Sequence, residues 1–116
     1  MAKATGEDID LAARRCTPCA GGTPPLAAGE ADRLMAELPG WTREDGVIAK
    51  LFGFRNYGQT IAFVNAVAWI ARRENHHPEL QVGFTTCRVS WTTHAIGGLS
   101  ENDFICAAKV DALLAE

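Results

Sequence analysis

The chain has 116 residues, enough for one domain with a modest hydrophobic core. Hydrophobic residues make up 47% and charged ones 22%, as in ordinary globular proteins, and the net charge of −3 offers nothing to nucleic acid or an anionic membrane. No apolar run reaches the roughly 20 residues of a bilayer span, and "MAKATGEDID" lacks a signal peptide's apolar core, so a cytoplasmic location with reduced thiols is expected.

Residues 1–26 are polar or small, and "CAGGTPPL" breaks any helix or strand. They are expected to form a partly ordered arm bearing Cys16 and Cys19, with the folded domain over 27–116. From Ala27 to Leu38 the residues Leu34, Met35 and Leu38 recur at helical spacing, and "PG" ends the helix. In "WTREDGVIAKLFGF" the pair Asp45-Gly46 is a turn signal between two β-prone runs, which predicts a hairpin.

The longest periodic segment runs from Tyr57 to Asn75. Ile61, Val64, Val67, Ala68 and Ala71 mark the expected buried stripe, widened by Phe63 and Ile70. Pro78 drives His77 out of the helical region, so the helix is expected to end near His76. Two strands follow, "LQVGF" and "CRVSWTT"; in the second, Cys87, Val89 and Trp91 alternate with polar residues. A last helix starts after Ser100, with Asp103 three residues on as a variant capping box and a stripe of Phe104, Ala107, Ala108 and Leu114. The order implies an α+β fold: a four-stranded antiparallel sheet with three helices packed on one face. The open face or edge is then a natural place for a second subunit.

Four cysteines remain to be placed. Cys16 and Cys19 have the spacing of a redox pair or a zinc half-site, or they form a tight turn that packs the arm. Cys87 and Cys106 sit in apolar contexts and read as small core residues.

All three histidines, His76, His77 and His94, fall around the end of the long helix and the end of the second following strand. If those strands form a hairpin, the chain returns to where it left, and three imidazoles can converge on one cleft. Such a cluster suits acid–base work on a small molecule, because imidazole titrates near neutral pH. Ordinary turn and surface histidines account for the same spacing, and the residues alone leave both readings open. A zinc site is disfavoured because adjacent histidines rarely bind one ion together.

"HHPEL", Phe84 and "THAIGGLSENDF" together resemble the pterin-4a-carbinolamine dehydratase family across residues 26–116. The matching positions are His76, His77, Pro78, Phe84, His94 and Asp103. The resemblance implies a homodimer or homotetramer and loss of water from a 4a-hydroxytetrahydropterin to give the quinonoid dihydropterin, with no metal or redox cofactor. It implies His76 and His94 as the acid–base pair and His77 as the residue that orients the pterin. His76–Pro78 and Thr93–Ile96 (Thr93, His94, Ala95, Ile96) would line the ring, with Asp103 bracing the site from behind or capping its helix. Two positions depart from the family: Leu80 replaces an aromatic, and Arg72 stands where an acidic residue, lysine or histidine is usual. Arg72 either places a permanent charge near the imidazoles or faces solvent without effect. Two partner classes follow. One is a pterin, handled beside an aromatic amino-acid hydroxylase. The other is a protein, as in the family's Rubisco assembly-factor branch, with no nucleic acid and no membrane in either case.

Overall fold

The computed structural model describes residues 10–19 and 21–115. Residues 1–9 and 20 of the expected arm lie outside the described residues. Three α-helices and four strands are found among the described residues: α1 (Ala28–Met35), β1 (Thr42–Glu44), β2 (Val47–Gly53), α2 (Tyr57–Glu74), β3 (Glu79–Val82), β4 (Thr86–Trp91) and α3 (Glu101–Ala112). The strands form one antiparallel sheet in the order β1-β2-β4-β3. The expected hairpin is present, with Asp45 and Gly46 both at positive φ (53° and 76°), the pairing a tight two-residue turn requires.

Register explains which face is covered. Ile48 pairs with Trp91 and Phe52 with Cys87, and all four are buried under the helices. Leu51 pairs with Arg88 on the opposite face, and both are exposed. Strand alternation therefore leaves one face of the sheet open, as expected.

The helices depart from their expected stripes. In α2 the buried residues are Thr60, Phe63, Val67, Ile70 and Glu74, while Ala68 is exposed and Ile61, Val64 and Ala71 are half-buried. The buried stripe is rotated from the aliphatic one, because two polar side chains belong to the core once they are hydrogen-bonded. Thr60 is satisfied by donating to the carbonyls of Asn56 (3.0 Å) and Phe84 (3.1 Å). The helix also stops at Glu74 rather than near His76. Asn75 caps it in the left-handed conformation, and His76 N–H bonds back to the Ala71 carbonyl at 3.1 Å. In α3, Phe104 and Ala107 are buried as expected, Ala108 is half-buried and Leu114 is exposed. Its first half is instead buried almost all round, from Asn102 to Ala107, because the sheet covers one side and the arm the other.

That arm is tied down over residues 11–17. Leu11 is buried in the core cluster, Lys109 Nζ donates to the Ala12 carbonyl at 2.8 Å, and Arg14 pairs with Glu101.

Candidate active site

The left-handed cap at Asn75 turns the chain sharply, so that His76 enters the protein instead of continuing along the helix. Its ring stacks on Trp91, the last residue of β4, with centroids 5.4 Å apart and planes 16° apart. Its Nε2 lies 2.6 Å from Asp103 Oδ1, and the Asp103 side chain is completely buried. The other carboxylate oxygen, Oδ2, accepts from the Ser100 N–H at 2.9 Å and from the Thr93 hydroxyl at 2.8 Å. Thr93 has spent its one proton on Asp103, so Ser100 Oγ must donate to Thr93 Oγ1 across their 2.8 Å contact. With both carboxylate oxygens accepting, His76 donates through Nε2 and keeps Nδ1 for another partner.

Thr93 also anchors the loop that carries His94. It forms a bridge with Gly98, its N–H donating to the Gly98 carbonyl at 3.0 Å. The intervening His94–Ile96 turn is closed by Gly97 at φ 71°. The loop leads directly to Ser100, the N-cap of α3, so one short stretch supplies His94, Thr93 and the start of the Asp103 helix. His94 and His77 are exposed.

A cleft of about 500 Å³ joins these parts, a volume suited to a small heterocycle. One wall is the helix end from Arg73 to His77, a second is Thr92–Ala95, and the third is the arm from Cys16 to Cys19. Asn102 completes the lining. All three histidines therefore face one space. Of the other residues expected there, Thr93 and Ala95 line the cleft, while Pro78 and Ile96 are outside its lining. Arg72 is exposed and also outside; its neighbour Arg73 is the arginine that reaches the wall. A second groove, of about 450 Å³ beside Phe54, Phe63 and Leu114, has no titratable side chain in its lining.

The arm wall is what the sequence reading missed. It is held by a two-way clasp: Thr17 N–H donates to Asn102 Oδ1 (3.0 Å), and Asn102 Nδ2 donates to the Thr17 carbonyl (2.6 Å). Glu74, buried at the end of α2, accepts from the Cys16 N–H at 2.8 Å and lies 3.2 Å from Arg15 and 3.7 Å from Lys109. Burial alone would raise the pKa of Glu74. The Cys16 hydrogen bond, with the charges of Lys109 and Arg15, outweighs it and holds the carboxyl below its ordinary 4.5. A carboxyl with a depressed folded pKa stabilises the fold above the unfolded value, and this contribution is lost as the pH falls through the folded value. Protection of the Cys16 amide from hydrogen exchange is thus expected to drop as the pH falls below 4.5. In Glu74→Ala it should be low even at neutral pH, since the unpaired amide costs about 1–3 kcal/mol. Unchanged protection in the variant would show that Glu74 does not hold the arm. The sequence signals it only through the placement of Glu74 one turn after Ile70, on the same helix face.

Residues 24–113 match the protein family described as Pterin 4 alpha carbinolamine dehydratase. A relative from Nitrosomonas eutropha, provisionally named a pterin-4-alpha-carbinolamine dehydratase, is 61% identical over 106 residues, covering 90% of this chain and 94% of the relative. Among solved structures, a transcriptional coactivator/pterin dehydratase from Brucella melitensis superposes with a TM-score of 0.75 at 27% identity, over 78% of this chain and 99% of that one. A pterin dehydratase-like protein identified as a RuBisCO assembly factor in the alpha-carboxysome superposes with a TM-score of 0.55, also at 27% identity, over 66% of this chain and 88% of that one.

Proposed function

This chain belongs to the pterin 4 alpha carbinolamine dehydratase family, and on that premise we propose that it dehydrates a 4a-hydroxytetrahydropterin to the quinonoid dihydropterin by histidine acid–base catalysis. The observation that carries the reading is the convergence of His76, His77 and His94 on one cleft, with His76 fixed by the buried Asp103.

The reaction removes a hydroxyl from C4a and a proton from the neighbouring ring nitrogen, forming a carbon–nitrogen double bond. The hydroxyl leaves as water only if it is protonated, and the nitrogen needs a base. His76 and His94 take these two roles, His76 through Nδ1, and His77 orients the pterin. Thr93 and Ala95 contribute to the wall along the ring. No electrons are gained or lost overall, so proton transfers by the chain's own imidazoles suffice. Under this reading the chain works in the cytoplasm as a homodimer or homotetramer. The exposed Leu51, Trp69 and Phe84 supply apolar surface for such contacts.

The second reading, a protein-binding assembly factor without activity, draws on the RuBisCO-associated neighbour. That neighbour covers less of the chain and superposes less closely than the pterin dehydratase. Stopped-flow mixing with synthetic 4a-hydroxytetrahydropterin separates the two. Dehydration well above the uncatalysed background supports the enzyme. A rate no greater than background, with retention on immobilised Rubisco, would overturn it in favour of the assembly factor.

A further inference from the structure

In sequence the natural thiol partners are Cys16 and Cys19, two residues apart in "CTPC". The fold pairs them differently. Cys16 Sγ lies 3.5 Å from Cys106 Sγ, although 90 positions separate the two residues. Cys19 Sγ turns instead to Asn102 Nδ2 at 3.5 Å and the Thr17 carbonyl at 3.9 Å. All four cysteines are free thiols. Cys16 is half-buried on the arm wall of the cleft, while Cys106 is fully buried on α3.

We propose that Cys16 and Cys106 form a reversible disulfide that fastens the arm wall of the cleft to α3, with Cys19 outside the pair. This does not depend on the reaction assigned to the cleft. Bond formation requires the sulfurs to close from 3.5 Å to about 2.05 Å. The arm can supply that movement, because residues 14–19 have no regular secondary structure to distort. The Cys16 contact first, and burial second, push the Cys106 thiol well above its ordinary pKa and keep it protonated. Cys16, the thiol nearer solvent, therefore meets the oxidant.

With a hydroperoxide as oxidant, the peroxide O–O bond breaks and Cys16 sulfur is oxidised by two electrons to the sulfenic acid, releasing water or an alcohol. Cys106 sulfur then attacks Cys16 sulfur. The S–O bond breaks, the Cys106 proton leaves with the hydroxide as water, and the S–S bond forms. A dithiol reductant returns both thiols by exchange.

The full-length chain, treated with hydrogen peroxide under native conditions, alkylated and digested without reductant, gives the answer by mass spectrometry. The expected product is a peptide linking Cys16 to Cys106, formed equally by Cys19→Ser, absent from Cys106→Ala and reversed by dithiothreitol. In Cys19→Ser, oxidation should also raise Tm, because the bond closes a long loop; Cys106→Ala, if it folds, should show no such rise. A Cys16–Cys19 linkage as the main product, or overoxidised Cys16 with no cross-link in wild type or Cys19→Ser, would overturn the assignment.

Discussion

His76→Ala is expected to lower kcat for dehydration by about 10²–10⁴-fold, the range typical of losing a positioned general acid or base. Alanine also strips the buried Asp103 of a donor at 2.6 Å, so a drop in activity could reflect a damaged fold. His76→Gln separates these effects, since an amide N–H can still reach Asp103 but cannot carry a proton at neutral pH. Its Tm should stay near that of wild type while its rate falls about as far as that of alanine. His94→Ala should show the same separation without a control, because His94 is exposed on its loop. Stopped-flow rates and thermal denaturation on the three variants check this. Wild-type kcat in both His76 variants and in His94→Ala would remove the proposed acid–base pair.

Asp103 should give the largest loss of stability among the polar residues of the site. Its carboxylate, completely buried, receives His76 Nε2, the Thr93 hydroxyl and the Ser100 N–H. Asp103→Ala removes a helix cap and leaves buried donors without partners, a combined cost of about 2–5 kcal/mol. For a domain of this size, each kcal/mol shifts Tm by about 4 °C. Asp103→Asn behaves differently. Its carbonyl oxygen can still serve Ser100 and Thr93, but its NH₂ then faces His76 and demands an acceptor there. His76 must move its proton to Nδ1, which removes the base proposed to face the pterin. Most of the stability should therefore return while the rate stays at least about 10-fold low. If Asp103 only caps its helix, the asparagine variant will turn over like wild type, and calorimetry beside the kinetics distinguishes these outcomes.

Much of this architecture was legible before folding was considered. The Asp45-Gly46 hairpin, the Cys87–Val89–Trp91 alternation and the Ser100–Asp103 capping box are short-range patterns. Their residues are at most a few positions apart, and backbone geometry dictates what such spacings do. The three histidines could be gathered into one hypothesis because a β-hairpin must bring the chain back to its start. The buried stripe of α2 was legible only in part, because a hydrogen-bonded Thr60 or an ion-paired Glu74 is core in space and polar in sequence. The difference between Arg72 and Arg73 is one helical step of 100°, and which of them meets a cleft depends on what packs beside the helix.

The sequence by itself determined the strands, the helices, the one-sided sheet and the histidine supply, because period and turn chemistry act over a few bonds. Only the tertiary structure decided that Asp103 answers His76, that Glu74 and Asn102 clasp the arm, and that Cys16 faces Cys106 rather than Cys19. Those contacts join positions 27 to 90 residues apart. Such pairs are set by how whole elements pack, and local propensity carries no record of them.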